Sequence, residues 1–248
     1  MSHTLPPPPP SLLEGAALFL DFDGTLVELA EAPDAISVPA DLGALLGRLS
    51  ARLDGRLALV SGRGIRDIER YVDCAGLAIS GSHGLELRLA GGEIVSPDLP
   101  PSMAEAVTAI QKFAEGLEGV IVEDKSMGVA LHYRRVPDAE REVLDFMQGV
   151  AARTGLTIQH GKMMTELRPP GADKGDAVRA FMTEPEFRSA RPIFVGDDLT
   201  DEYAFMAALA LGGAGVLVGD ARDTAARWRL PGVPAVAHWL SDFAGLEA

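Results

Sequence analysis

The sequence D-F-D-G-T at 21–25 stands directly after an apolar run, ALFL at 17–20. In an extended segment side chains alternate, so Asp21 and Asp23 share one side and Phe22 takes the other. Two carboxylates at the mouth of a strand, one to attack and one to shuttle a proton, suit covalent phosphoryl transfer. A D-x-D on a loop can also be no more than a solvated turn. A second run, LALV at 57–60, leads into S-G-R-G. Ser61 offers a hydroxyl there, and the Gly-flanked turn presents backbone N–H groups ahead of a helix, an arrangement that holds an anion. The same serine can instead cap that helix. A third run, PIFV at 192–195, is followed by GDDLTDE, in which Asp197, Asp198, Asp201 and Glu202 crowd together. Such carboxylates repel one another unless solvent or a cation relieves them. Asp197 at the strand end is placed to meet Asp21 and Asp23 around a hard, oxygen-liganded ion, and Mg²⁺ fits that donor set. The helix dipole alone accounts for an acidic helix start, and Glu202 is expected to be no more than that. Lys174, in ADKGDA, opens a helix, the wrong end for a cation. Phosphate and the Asp21 carboxylate are partners that would offset this.

These residues need a scaffold that delivers strand ends to one place. Five apolar runs supply it, the three above together with LAIS at 77–80 and GVLV at 215–218. Helical patterns separate them. Leu42, Leu45, Leu46, Leu49 and Leu53 fall on one helical face, and Ile65, Ile68 and Val72 repeat that spacing. Residues 174–182 and 200–209 read the same way. Alternating strands and helices predict an α/β fold, a Rossmann-like parallel sheet with helices on both faces, whose ligands bind beyond the C-terminal strand ends.

The middle of the chain breaks this rhythm. A helical pattern over 103–117 precedes a hairpin, IVEDKSMGVALHYR. A second helix over 138–153 precedes a second strand pair, LTIQHGKMMTELR. The αββαββ order predicts a cap domain at 99–169 inserted into a core made of 15–98 and 170–248, with Pro/Gly punctuation at both joints. A proline-rich arm, 1–14, is expected to add nothing to the core. On the hairpins Glu123 and Lys125 share a face, as do His132 and Arg134, and Glu166 and Arg168. Mixed donors and acceptors of this kind suit sugar hydroxyls, and they equally suit a solvated hairpin face.

Composition narrows the partners. A formal net charge of −14 disfavours nucleic acid and anionic membrane surfaces. No apolar run reaches the roughly 18 residues of a membrane span, and the N-terminus lacks the features of a signal peptide. The single cysteine, Cys74, rules out an internal disulfide. A cytoplasmic protein that takes a small molecule is expected, with a monomer as the default.

In order along the chain, DFDGT, SGR, ADKG and GDDLTDE resemble the four motifs of the haloacid-dehalogenase phosphatase superfamily. An acid at Asp23 is the mark of its phosphatases and phosphomutases rather than its dehalogenases. Over roughly residues 15–240 the chain further resembles the trehalose-6-phosphate phosphatases, through GSHGLE, EDKSMGVALHYR and GKMMTELRP. The resemblance implies Asp21 as nucleophile and Asp23 as acid and base. Mg²⁺ would be held by Asp21, the main-chain carbonyl of Asp23 and Asp197, with Asp198 and Asp201 on its waters. Ser61 and Lys174 would clamp the phosphate beside Thr25, Gly62 and Arg63. Lys125, Arg134, Lys162 and Glu166 would contact the sugar, with Glu123, His132 and His83 as further candidates and His160 ambiguous. The implied substrate is a sugar phosphate, trehalose 6-phosphate. Another sugar phosphatase, a sugar phosphomutase and a non-enzymatic sensor are the alternatives.

Overall fold

The computed structural model describes residues 5–30 and 36–246. The described residues divide into two compact units, one made of 5–29, 36–96 and 172–246, the other of 97–171 with Ala30. Its main segment, Pro97–Gly171, compares with limits of 99 and 169 read from the sequence.

The first unit starts with β1 (Ala16–Leu20), α1 (Leu42–Arg52), β2 (Leu57–Val60), α2 (Ile65–Ile68), β3 (Ala78–Gly81) and β4 (Glu86–Arg88). The second contains α3 (Ser102–Ala114), β5 (Ile121–Lys125), β6 (Gly128–His132), α4 (Glu140–Thr154), β7 (Thr157–Gly161) and β8 (Met164–Arg168). The first resumes with α5 (Lys174–Phe181), β9 (Arg191–Gly196), α6 (Asp201–Ala210), β10 (Ala214–Val218), β11 (Trp228–Leu230) and α7 (Val233–Ala244).

The sheet of the first unit has seven strands in the order β11-β10-β9-β1-β2-β3-β4. All pairs are parallel except β3 with β4. β1 lies between β2 and β9, so the strand order reverses there and the loops after those three strands converge. Alternation along the strands feeds two cores. Leu18, Leu20, Leu57, Leu59, Ile193 and Val195 face one way and pack with α1 and α7. Ala17, Phe19, Ala58, Val60 and Phe194 face the other way and pack with α5 and α6. Phe19 stacks on Phe181 and on Phe187, at centroid distances of 6.1 and 5.8 Å, and those two rings lie 5.7 Å from each other. Truncating such a fully buried ring costs about 3–5 kcal/mol.

The second unit is the αββαββ layer read from the sequence. Its four antiparallel strands run β5-β6-β8-β7. Val129, Leu131 and Leu167 pack beneath α3 and α4 through Met103, Ile110, Val143 and Met147.

Several features differ from the sequence reading. β4, β11 and α7 lie outside the elements expected, because the two strands are only three residues long and carry little apolar signal. α2 ends at Ile68 after four residues instead of running to Val72. The proline arm is corrected more sharply. Leu12 and Leu13 are buried in the core, Leu5 packs against the α5–α6 side, and Arg229 N–H donates to Pro6 O at 3.0 Å. A polyproline-like segment has unpaired carbonyls, and here one of them extends the ladder past β11.

Candidate active site

Asp21 continues β1 by one residue, its N–H donating to Val195 O at 2.9 Å, and it is 4% exposed. Phe22 points into the core on the α1 and α7 side, and its carbonyl accepts from the N–H groups of Leu26 and Val27. The buried ring thus anchors a tight loop that holds the flanking aspartates away from it. Gly24 is required twice in that loop. Its φ is +78°, and a Cβ there would collide with the Asp197 carboxylate.

Lys174 is the first residue of α5, whose start is fixed by a reciprocal capping box. Asp176 N–H donates to Asp173 Oδ1 at 2.9 Å, and Asp173 N–H to Asp176 Oδ2 at 3.0 Å. The Lys174 ammonium lies 2.9 Å from Asp21 Oδ1 and 2.7 Å from Asp201 Oδ1, with all three groups buried. Burial alone would lower its pKa. Asp201 and then Asp21 overcome that and hold it well above the lysine range. The partner demanded by a lysine at a helix start is therefore a pair of carboxylates.

Asp201 sits at the start of α6 and folds back, its Oδ2 accepting from Asp198 N–H at 2.8 Å. Oxygen atoms of Asp21, Asp197 and Asp201 lie within 4.8 Å of one another. Burial first, then Asp201, push the Asp21 carboxyl well above the usual range; Lys174 opposes this and Asp197 adds to it. Ionisation of Asp21 thus calls for more positive charge than Lys174 supplies. An oxygen-only donor set of this kind fits a hard divalent cation. The Asp23 carboxylate is outside the cluster. Arg63 takes both its oxygens, with Nε to Oδ2 at 2.6 Å and Nη2 to Oδ1 at 2.9 Å.

Ser61 is 1% exposed at the end of β2, and its Oγ accepts from Arg63 N–H at 3.1 Å. It shapes the turn and does not cap α2, whose N-cap is Gly64. The helix start itself has little left to offer an anion. α2 is a single turn, and Glu86 Oε2 already accepts from Ile65 N–H at 2.9 Å. His83 lies directly over Gly62, where a Cβ would come within 2.6 Å of its ring. Ser82 and His83 both adopt left-handed backbone, φ +50° and +56°, a costly state for residues with side chains. Two hydrogen bonds hold them there, Ser82 N–H to Arg63 O and His83 N–H to Ser61 O. Thr25 is fully buried, with no partner for its hydroxyl among the described residues.

The residues singled out on the hairpins fall into three groups. Cross-strand register puts Glu123, Lys125, Ala130, His132 and Glu166 on one face of the four-stranded sheet, opposite the face packed on α3 and α4. Lys125 Nζ lies 2.6 Å from Glu166 Oε2, and His132 Nε2 lies 2.7 Å from Glu123 Oε2. Arg134 and Lys162 meet elsewhere, beyond the strand ends, through Arg134 Nη2 donating to Lys162 O at 3.1 Å. His160 is exposed and pairs with Thr165, on the other side from Glu166.

Asp67, Glu86 and Arg222 were not singled out in the sequence, yet each braces a loop of this site. Asp67 Oδ2 accepts from Arg63 Nη1 at 2.8 Å, and i,i+4 spacing was the available signal. Arg222 donates to Asp198 O at 2.8 Å and pairs with Glu202, which also accepts from Ala225 N–H. Glu202 is therefore a brace for the acidic loop rather than only a favourable helix start. Its partners, like the Ile65 N–H that Glu86 accepts from, are distant in sequence and left no local signal.

The trehalose-phosphatase family profile matches residues 19–234. A probable trehalose-phosphate phosphatase of Sinorhizobium fredii is 44% identical over 84% of this chain and 79% of its own length. The trehalose-6-phosphate phosphatase of Escherichia coli is 36% identical over 93% of this chain and 87% of its own. Among solved structures, the C-terminal domain of Candida albicans trehalose-6-phosphate phosphatase superposes with a TM-score of 0.84 at 26% identity, covering 98% of this chain and 99% of that one. With more than two thirds of its length matched by the profile and by relatives of this identity, the chain belongs to the trehalose-phosphatase family.

Proposed function

We propose that this chain is a phosphatase that hydrolyses trehalose 6-phosphate to trehalose and phosphate, with Asp21 as nucleophile. The observation that carries the chemistry is the Asp21–Lys174–Asp201 arrangement. A buried carboxylate at the end of the central strand is held by an ammonium 2.9 Å away. The sugar assignment rests on family membership and on the named relatives.

An oxygen of Asp21 attacks phosphorus in line with the bond to the sugar oxygen, giving an aspartyl-phosphate. Asp23 supplies a proton to the departing sugar oxygen, then takes one from the water that hydrolyses the intermediate. Lys174 and Ser61 stand at the ends of α5 and β2 where they can hold phosphoryl oxygens. Asp21, Asp197 and the Asp23 main-chain carbonyl would hold Mg²⁺, while Asp198 and Asp201 would support its waters. When bound, such an ion offsets charge on the phosphoryl oxygens. The rest of the electrostatics falls to Lys174 and the fixed loop dipoles.

For the sugar, the polar face with Glu123, Lys125, His132 and Glu166 offers charged donors and acceptors held in fixed pairs. Arg134 and Lys162 are proposed contacts as well, and His83, Thr25, Gly62 and Arg63 belong with the phosphate loops. Phosphate release from trehalose 6-phosphate, sucrose 6-phosphate and glucose 6-phosphate, with and without Mg²⁺, tests the reading. A strong preference for the first and dependence on the ion are expected. Equal rates on all three would overturn the sugar assignment, and full activity in excess chelator would overturn the metal.

A further inference from the structure

Arg63 has the geometry of a clamp rather than of a free substrate contact. Its guanidinium spends Nε and Nη2 on the two oxygens of Asp23 and Nη1 on Asp67, and its side chain is 10% exposed. The Tyr71 ring lies 5.6 Å from the guanidinium carbon, closing another side. A planar fork that meets a carboxylate with two parallel bonds fixes the orientation of that carboxylate as well as its distance. Asp67 extends the constraint backwards. It lies one helical turn after Arg63, in α2, and holds the fork by its third nitrogen. Glu86 in turn ties the first N–H of that helix to the strand beside it.

We infer that Arg63, anchored by Asp67, is the positioning residue that aims the Asp23 carboxylate for proton transfer. The inference rests on the reading of Asp23 as the proton shuttle, and it gives Arg63 a role distinct from direct contact with the substrate. Only the inner lone pairs of the carboxylate are used by the fork, so each oxygen keeps one for the reaction. Loss of the clamp leaves Asp23 present but free to rotate. Proton transfer then suffers most where the departing oxygen is a poor leaving group.

The experiment measures kcat and KM for a series of aryl phosphates, from 2,4-dinitrophenyl to unsubstituted phenyl phosphate, with the full chain and Mg²⁺. The variants are Arg63→Lys, which keeps charge and loses the fork, and Asp67→Asn, which loses the anchor. Thermal unfolding of each checks the fold. For Arg63→Lys, kcat on phenyl phosphate should fall about 30-fold or more and the first-turnover burst on dinitrophenyl phosphate less than about 3-fold, since general acid–base catalysis contributes about 10²–10⁴. KM should hold. Asp67→Asn should show the same steepening more weakly. Equal losses along the series in the first-turnover rate, a rise in KM with an unchanged slope, or no loss in folded variants would each overturn the inference. The aryl series carries no sugar. A wild-type chain active on it but inactive on trehalose 6-phosphate would sink the substrate assignment while leaving this test intact.

Discussion

At the end of the parallel sheet Lys174 stands against Asp21, Asp197 and Asp201, whereas on the four-stranded sheet Lys125 faces Glu166 and His132 faces Glu123. Both regions place charged groups where water is scarce; Glu166 is 1% exposed and Asp201 is fully buried. They differ in what remains after pairing. The matched pairs, Lys125 with Glu166 and His132 with Glu123, leave no net charge when both partners are ionised. Such a surface can recognise a neutral, hydroxyl-rich group by orientation alone. The unbalanced cluster keeps an excess of negative charge, which adds to burial, the larger cause, in pushing Asp21 above its ordinary range. Further positive charge would relieve that excess, which suits a site that must bring a phosphoryl group to a carboxylate.

The largest effect should follow from removing the attacking group on the unbalanced side. Asp21→Asn should lower kcat for phosphate release by at least about a thousandfold, roughly 4 kcal/mol, in a deamidation-free preparation. Retention of a tenth of the activity would move the nucleophile elsewhere. Next comes Lys174→Met, which leaves buried carboxylates without their ammonium. Unfolding free energy should drop by about 3–5 kcal/mol, with much of the loss restored by millimolar Mg²⁺. A variant as stable as wild type in chelator would show that the cluster is not short of positive charge, and the comparison would break.

On the balanced side the effect should be smaller and selective. Glu166→Ala should lower kcat/KM for trehalose 6-phosphate by about ten- to a hundredfold, the worth of one charge-assisted hydrogen bond of roughly 1.5–3 kcal/mol. Hydrolysis of p-nitrophenyl phosphate should hardly change. Equal losses on both substrates would make Glu166 structural and remove the distinction between the two regions. The smallest change is expected for stability in Arg134→Ala. Its one described bond is exposed, so calorimetric unfolding should shift by no more than about 0.5 kcal/mol. A larger loss would mean that the strand-end pair supports the sheet.

How legible the molecule was depended on the range of each interaction. The runs at 57–60, 192–195 and 215–218 became β2, β9 and β10 almost residue for residue, because a buried strand needs an unbroken apolar stretch. The αββαββ order was equally readable from its two periodicities. β4 and β11 were not, since three residues with an arginine in each carry no pattern of their own and are strands only because a neighbour supplies the ladder. The arm misled for the same reason. Its prolines imply an extended chain, while Leu12 and Leu13 find the core only once β1 is in place.

The sequence by itself determined which residues could do chemistry, because DFDGT, SGR, ADKG and GDDLTDE each join a reactive group to a strand end or a helix start by local rules. Only the tertiary structure decided the pairings among them. Nothing local turns Asp23 toward Arg63, gives Lys174 both Asp21 and Asp201, or sets Arg222 against the acidic loop. Each of those contacts joins groups more than 20 residues apart and exists because the parallel strands β10, β9, β1 and β2 end side by side. Charge is additive over whatever the fold brings within a few ångströms, and sequence order does not encode that distance.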